Sequence, residues 1–163
     1  MIGISPQENA AAINLTVEEN LHFMCGIYGI DKKTADENIG RIVEQFNLQK
    51  VLNTRAGKLS GGWHKRLSIA MALITNPKTL FLDEPTLGLD VVARRELWSV
   101  IESLKGKMTI IITTHYMEES EHLADRIAIM KDGKLKEFCT LEELQQKTGE
   151  ESLEEAFLKI TVN

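Results

Sequence analysis

A chain of 163 residues with 43% hydrophobic and 26% charged residues can bury one real core and has the balance of an ordinary globular domain. Its net charge of −5 argues against a nucleic-acid binder, which carries a basic face. Cys25 and Cys139 form no CxxC pair and favour a reduced, cytosolic compartment, no apolar run reaches the ~18 residues of a membrane span, and no signal peptide is evident, so any service to a membrane is expected to run through a partner.

In chain order, residues 1 to 12 read as a short extended piece followed by a loop, and residues 17 to 75 read as helical. Thr16 suits a helix N-cap, with Glu18 and Glu19 in the first turn where the helix dipole favours acids. Leu21, Met24 and Tyr28 then recur at helical spacing. A second helix is predicted from about Thr34 to Phe46, with Ile39, Ile42, Val43 and Phe46 as its apolar stripe. Pro6, Pro77 and Pro85 fall at segment edges, as their missing N–H favours. After Pro77 the pattern changes. Leu80-Phe81-Leu82 is a short apolar run ending in two acids, residues 91 to 105 look helical, and Met108 to Ile112 is a second apolar run. A short helix precedes a third run, Ile127-Ala128-Ile129-Met130. Apolar runs alternating with helices predict βαβ units and a parallel sheet buried on both faces. Asp132-Gly133 marks a tight turn, after which Lys134 to Phe138 is expected to return antiparallel. From Thr140 the tail looks helical, with Leu141, Leu144, Leu153, Ala156 and Phe157 available to dock.

Three segments carry candidate chemistry. A buried parallel strand through Leu80-Phe81-Leu82 delivers Asp83 and Glu84 to the carboxyl edge of its sheet, where α/β proteins bind ligands. Adjacent acids there are costly unless they meet a cation or a proton. One can help hold Mg²⁺ and the other can polarise an attacking water, although a plain strand end with solvated acids fits the same letters. Thr113-Thr114-His115 ends the next predicted strand, so His115 is expected on the same edge, as a phosphate donor or as a satisfied structural histidine. Leu59-Ser60-Gly61-Gly62 runs into an apolar-periodic helix (Leu67, Ala70, Met71, Ile74). Its N–H groups and hydroxyl make an anion site, or Ser60 simply caps the helix. A fourth segment, Ile4-Ser5-Pro6-Gln7, says nothing by itself.

Taken in order, these pieces resemble the nucleotide-binding domain of ATP-binding-cassette (ABC) transporter ATPases. Pro6-Gln7 looks like the family's glutamine loop and Leu59 to Gly62 like its signature motif. Leu80 to Glu84 looks like the Walker B strand, Leu87-Gly88-Leu89-Asp90 like the aspartate loop, and Thr114-His115 like the switch histidine. The resemblance implies an α/β fold: part of a P-loop NTPase parallel-sheet core with an inserted α-helical subdomain. It divides the chain into a glutamine-loop segment (1–14), a helical subdomain ending in the signature helix (15–76), the ATPase core (77–138) and a helical tail (139–163). It implies ATP and Mg²⁺ as cofactors. Asp83 and Gln7 would hold the metal, Glu84 would act as general base, and His115 would contact the γ-phosphate. Gln7 would also couple the site to a transmembrane partner. Ser60, Gly61 and Gly62 would face the phosphate of ATP held by a second ATPase subunit in a head-to-tail dimer, with Asp90 working across that interface. The implied partners are that second subunit and an integral membrane transporter subunit, with no nucleic acid, at the cytoplasmic face of the membrane.

The sequence departs from the family in two places. A phosphate-binding loop needs G-x-x-x-x-G-K-[ST]. The pairs Gly57-Lys58, Gly106-Lys107 and Gly133-Lys134 are followed by Leu59, Met108 and Leu135, and none has glycine five positions earlier. The chain is therefore expected to be the carboxyl-terminal part of such an ATPase, inactive alone and with apolar surface uncovered. Trp63 stands where the signature motif usually carries glutamine or another polar residue, either altering the dimer contact or packing beside the helix. His64, Lys65 and Arg66 then place charge near the expected phosphate or form a solvated basic turn. The stretches Leu15 to Leu21 and Glu151 to Leu158 resemble the exporter branch. Two rivals stand beside that reading: a non-transport ABC ATPase, against which the chain shows no long heptad run and no second motif set, and a degenerate module that only docks, against which Ser60, Asp83, Glu84 and His115 are all intact.

Overall fold

A computed structural model describes residues 1–8 and 10–162. Asn9 of the glutamine-loop segment and Asn163 at the end of the tail lie outside the described residues. The chain forms two compact units, Met1–Thr113 and Thr114–Asn163.

The first unit is organised by strands β1 (Ile2–Ser5), β2 (Thr79–Asp83) and β3 (Thr109–Thr113), which make a parallel sheet in the order β1-β2-β3. Gly3 pairs with Leu80 and Leu80 with Ile110, and the register continues to Asp83 opposite Thr113. Between β1 and β2 come helices α1 (Val17–Ile27), α2 (Lys32–Gln45) and α3 (Gly61–Leu73), and between β2 and β3 comes α4 (Val91–Glu102).

Local chemistry sets the helix ends. Thr16 caps α1 in a capping box: its hydroxyl accepts from Glu19 N (3.1 Å) while the Glu19 carboxylate accepts from Thr16 N (2.7 Å). Asn20 is fully buried and satisfied by the preceding loop. Its amide oxygen accepts from Ala12 N, and its NH₂ donates to the Ala12 and Thr16 carbonyls. The buried face of α1 is Val17, Asn20, Leu21 and Cys25 rather than the Leu21, Met24, Tyr28 stripe. Tyr28 is the C-cap residue and half exposed, because the helix stops before another turn would carry it inward. Helix α2 begins two residues earlier than its pattern suggests, since Asp31 rather than a later residue caps it and accepts from Thr34 N at 3.1 Å. Its predicted stripe, Ile39, Ile42, Val43 and Phe46, is buried.

Helix α3 is the centre of the unit. Every residue from Lys65 to Ile74 is buried, and the helix packs on β1, β2, α1, α2 and α4. It runs antiparallel to β1 at very close range. A Cβ on Gly3 would stand 2.4 Å from the Ala72 carbonyl oxygen, and the Ser5 and Ser68 hydroxyls are 2.9 Å apart. Side chains alternate across a strand, so Gly3, Ser5, Leu80 and Leu82 face α3 and are buried, whereas Ile2, Ile4, Phe81 and Ile111 point the other way and are exposed. The expectation of burial on both faces is thus corrected: one helical layer covers one face.

The second unit holds α5 (Met117–Leu123), β4 (Ile127–Lys131), β5 (Lys134–Cys139), α6 (Leu141–Thr148) and α7 (Leu153–Val162). The third apolar run does not extend a parallel sheet. Strand β4 pairs antiparallel with β5 in a two-stranded sheet, turned by Asp132 and Gly133 at φ 51° and 70°. Both residue types tolerate the left-handed region that a tight hairpin needs. Ile127, Ile129, Leu144, Leu153 and Ala156 form the core of this unit, with Leu141 and Phe157 packed against it.

The Gly3 contact predicts opposite outcomes for two Gly→Ala changes. Gly3→Ala forces β1 away from α3 and should cost about 1–3 kcal/mol. Gly40→Ala, on an exposed turn of α2 with nothing within 4 Å of the added methyl, should gain about 0.5–1 kcal/mol. Urea or thermal melting of both variants against the parent checks the pair.

Candidate functional site

Because α3 runs antiparallel to β1, its amino end lies at the carboxyl edge of the sheet. Three contacts step along the two elements: Gly3 against Ala72, Ser5 against Ser68, and the Gln7 carbonyl accepting from Lys65 Nζ at 2.8 Å. The structure therefore gathers Gln7, Asp83, Glu84 and the start of α3 at one edge.

Strand alternation turns Asp83 toward the uncovered face with Phe81. Its cross-strand neighbour is Thr113, whose hydroxyl donates to Asp83 Oδ1. Glu84 follows in the left-handed region, at φ 46°. The other non-glycine residues with positive φ among those described are Asn47, Asn76 and Asp132, types that visit this region readily. Glutamate has no such excuse, and strain of this kind collects at functional positions. The turn is held by Glu84 N donating to Thr113 O (3.0 Å), and by Leu87 N (3.2 Å) and Lys65 Nζ (3.3 Å) both donating to Glu84 O.

Ser60 is the N-cap residue of α3 by backbone conformation, and its carbonyl accepts from His64 N at 2.9 Å. Its side chain makes no capping hydrogen bond and the residue is exposed, so plain capping does not explain the hydroxyl. The two glycines have a packing reason. A Cβ on Gly62 would meet Ala93 Cβ at 3.2 Å, and one on Gly61 would meet Leu89 Cδ2 at 3.4 Å. They let the start of α3 lie close against the loop and helix that follow β2. Asp90 has a local task as well: its carboxylate caps α4, accepting from Val92 N and Ala93 N at 2.9 Å each.

Lys65 and Arg66 are buried, at 8% and 7% exposure, which corrects the reading of a solvated basic turn. Burial lowers the Lys65 pKa, against a pull upward from the Asp83 and Glu84 carboxylates. Arg66 pairs with Glu96 (2.6 Å), and its guanidinium lies 4.9 Å from the centre of the Trp63 ring. Trp63 is half-buried and packs beside the helix under this cation. Neither reading of the basic turn from sequence anticipated a buried Lys65 bonded to two backbone carbonyls. The clue was the apolar run after it, which makes the second turn of α3 part of the core. His115 belongs to the second unit, where it is exposed and its ring lies 4.3 Å from that of Tyr116.

Asp83 and Gln7 offer hard oxygen donors in exposed positions, the kind Mg²⁺ takes while keeping several waters. Among the described residues no group of three or more His, Cys, Asp or Glu could hold a metal by itself.

A parallel sheet with an acidic pair at its carboxyl edge and a Ser-Gly-Gly helix start beside it is the α/β architecture of the P-loop NTPase class. The family model described as ABC transporter matches residues 1–87, and the chain belongs to that family. Human "Phospholipid-transporting ATPase ABCA3" is 39% identical over 148 residues, covering 91% of this chain and 9% of the relative. "Probable multidrug ABC transporter ATP-binding protein YbhF" of Escherichia coli is 36% identical over 165 residues, covering 98% of this chain and 28% of the relative. A solved structure described as "Structure of ATP binding subunit of ABC transporter" superposes with a TM-score of 0.81 at 25% identity, covering 98% of this chain and 68% of that one. The chain thus spans between about a tenth and about a quarter of the length of these two curated relatives.

The backbone of Glu84 generates a prediction independent of activity. Glu84→Gly relieves the left-handed strain and should be about 1 kcal/mol more stable than Glu84→Ala, which keeps it. Chemical denaturation of the two variants measures the difference, and equal stabilities would contradict the strained geometry.

Proposed function

We propose that this chain carries part of the ATP-hydrolysing machinery of an ABC transporter, one that exports its cargo. The observation that carries the reading is Glu84, held at the carboxyl end of β2 in a strained backbone conformation beside Asp83 and Gln7. ATP supplies the phosphoanhydride to be cleaved and Mg²⁺ supplies charge neutralisation. Asp83 and Gln7 hold the ion through oxygen. Glu84 takes the proton of the attacking water as general base. His115 donates to a phosphate oxygen. The Ser60 hydroxyl and the N–H groups of Gly61 and Gly62 face the phosphates of a nucleotide held by a second ATPase subunit, arranged head to tail, and Asp90 works at that interface. Residues 1–14 act as the glutamine loop, 15–76 as the helical subdomain, 77–138 as the core and 139–163 as the tail.

The printed activities of the relatives, phospholipid transport and multidrug transport, support export and an integral membrane partner. No helix among the described residues is long and apolar enough to cross a membrane. The chain is placed at the cytoplasmic face, docked on that partner, and it has no nucleic-acid role.

The 163 residues contain no G-x-x-x-x-G-K-[ST] segment, whose N–H groups and lysine supply most of the phosphate binding in this class of site. A polypeptide of these residues alone should bind ATP weakly and turn over no faster than its Glu84→Gln variant. Joined to such a segment, it should hydrolyse ATP with Mg²⁺, and Glu84→Gln should then lower turnover by about 10²-fold or more while ATP still binds. Turnover by the 163-residue chain, or equal turnover in the joined pair, would overturn the reading.

A further inference from the structure

Lys65 is the first fully interior residue of α3, one turn beyond Ser60 and the two glycines. A lysine there is expensive, since an ammonium taken out of water must find its hydrogen bonds within the protein. Leu67, Ile69 and Ala70 further along are apolar, whereas the buried polar residues beside it, Arg66 and Ser68, each have a partner of their own. Its nitrogen is spent on two backbone carbonyls: Gln7 O at 2.8 Å and Glu84 O at 3.3 Å. These carbonyls belong to the segments that leave the neighbouring parallel strands β1 and β2. The compact ammonium carries three donors and can serve both at once.

We propose that Lys65 is a positioning residue that ties the start of α3 to Gln7 and Glu84, so that a displacement of the Ser-Gly-Gly helix start is carried directly to both. The inference rests on the reading of Gln7 and Glu84 as catalytic. Lys65 donates to their backbone carbonyls and acts through them. The Glu84 carbonyl is a suitable handle because the same residue bears the strained φ. It accepts from Leu87 N and from Lys65 Nζ, and releasing one donor frees the backbone torsions that aim the carboxylate. Gln7 is exposed and follows a strand of only four residues, so its carbonyl bond to Lys65 is a principal restraint on where its side chain starts. The mechanical route is short: Ser60, one helical turn, Lys65, then the two carbonyls. Arg66 anchors the same turn from the other side, through Glu96 of α4.

Two readouts test the tie. In the full 163-residue chain, the backbone carbonyl ¹³C resonances of Gln7 and Glu84 should both move in Lys65→Met and return toward the parent in Lys65→Arg, while the methyl resonances of Leu67 and Ile69 stay in place as a control for the fold. In the chain joined to a phosphate-binding segment, Lys65→Met should lower kcat about tenfold or more with KM within about twofold, and Lys65→Arg should recover most of the loss. If Lys65→Met does not fold, Lys65→Gln carries the same readouts. Carbonyls that stay in place, only one that moves, or a kcat that ignores the substitution would each overturn the proposal. Turnover insensitive to Glu84→Gln would instead remove Glu84 as the base, and the two carbonyl shifts then decide the tie by themselves.

Discussion

The closest constraint in the first unit is backbone against backbone: β1 lies so near α3 that position 3 has no room for a Cβ beside the Ala72 carbonyl. Much else follows from that approach. It lets the Ser5 and Ser68 hydroxyls meet in the interior and brings the Gln7 carbonyl within reach of Lys65. It also fixes the direction of α3, whose amino end then rises to the edge where β2 releases Asp83 and Glu84. A second close approach, of Gly61 and Gly62 to Leu89 and Ala93, seats that amino end against the segment after β2. Glycine is required at the first place for space, and at the second it lets the helix start sit close to its neighbours.

The electrostatics of the edge follow from this packing. Two carboxylates stand at a strand terminus, and the nearest buried cation is Lys65, with its charge partly offset by them. Burial opposes that charge and the acids support it, so the cation holds its place through their field and through two carbonyls. Asp83 leans on Thr113, and Glu84 on the backbone of the same residue. The edge is therefore braced from β3 and α3, and its Gln7 from α3 as well.

Much of this was legible in the residues. The short apolar runs at Leu80 and Ile110 are parallel strands, Thr16 caps a helix, and Asp132-Gly133 turns a hairpin, because each depends on local chemistry. The order of the motifs resembles the family whose model matches residues 1–87. The misreadings came from partners that local sequence does not specify. An apolar run such as Ile127 to Met130 announces a strand but not whether it joins the parallel sheet, and β4 lies instead in a two-stranded sheet with the antiparallel return that Asp132-Gly133 announced. The apolar residues of β2 and β3 alternate between a more covered and an exposed face, which their continuous hydrophobicity conceals, and in β1 Ile2 and Ile4 lie on the exposed face. Lys65 and Arg66 read as charge near a phosphate or as a solvated turn, and both are buried on α3, where Arg66 meets Phe46 O and Glu96, 20 and 30 positions away. Asp90 also caps α4, a task set by the next helix turn. Ser60 read as an anion contact or a cap, and its geometry shows the hydroxyl uncommitted to capping.

Helix α3 and the sheet are packed as one piece, from which the edge carrying Asp83 and Glu84 is built. Native-state hydrogen exchange tests it most directly. The amides of α3 from Leu67 to Leu73 and those of β2 should exchange through one common opening, with the same free energy and the same dependence on denaturant, and Gly3→Ala should lower both by the same amount. Exchange from α3 at a clearly lower free energy than from β2, or a Gly3→Ala effect confined to one of them, would contradict the account.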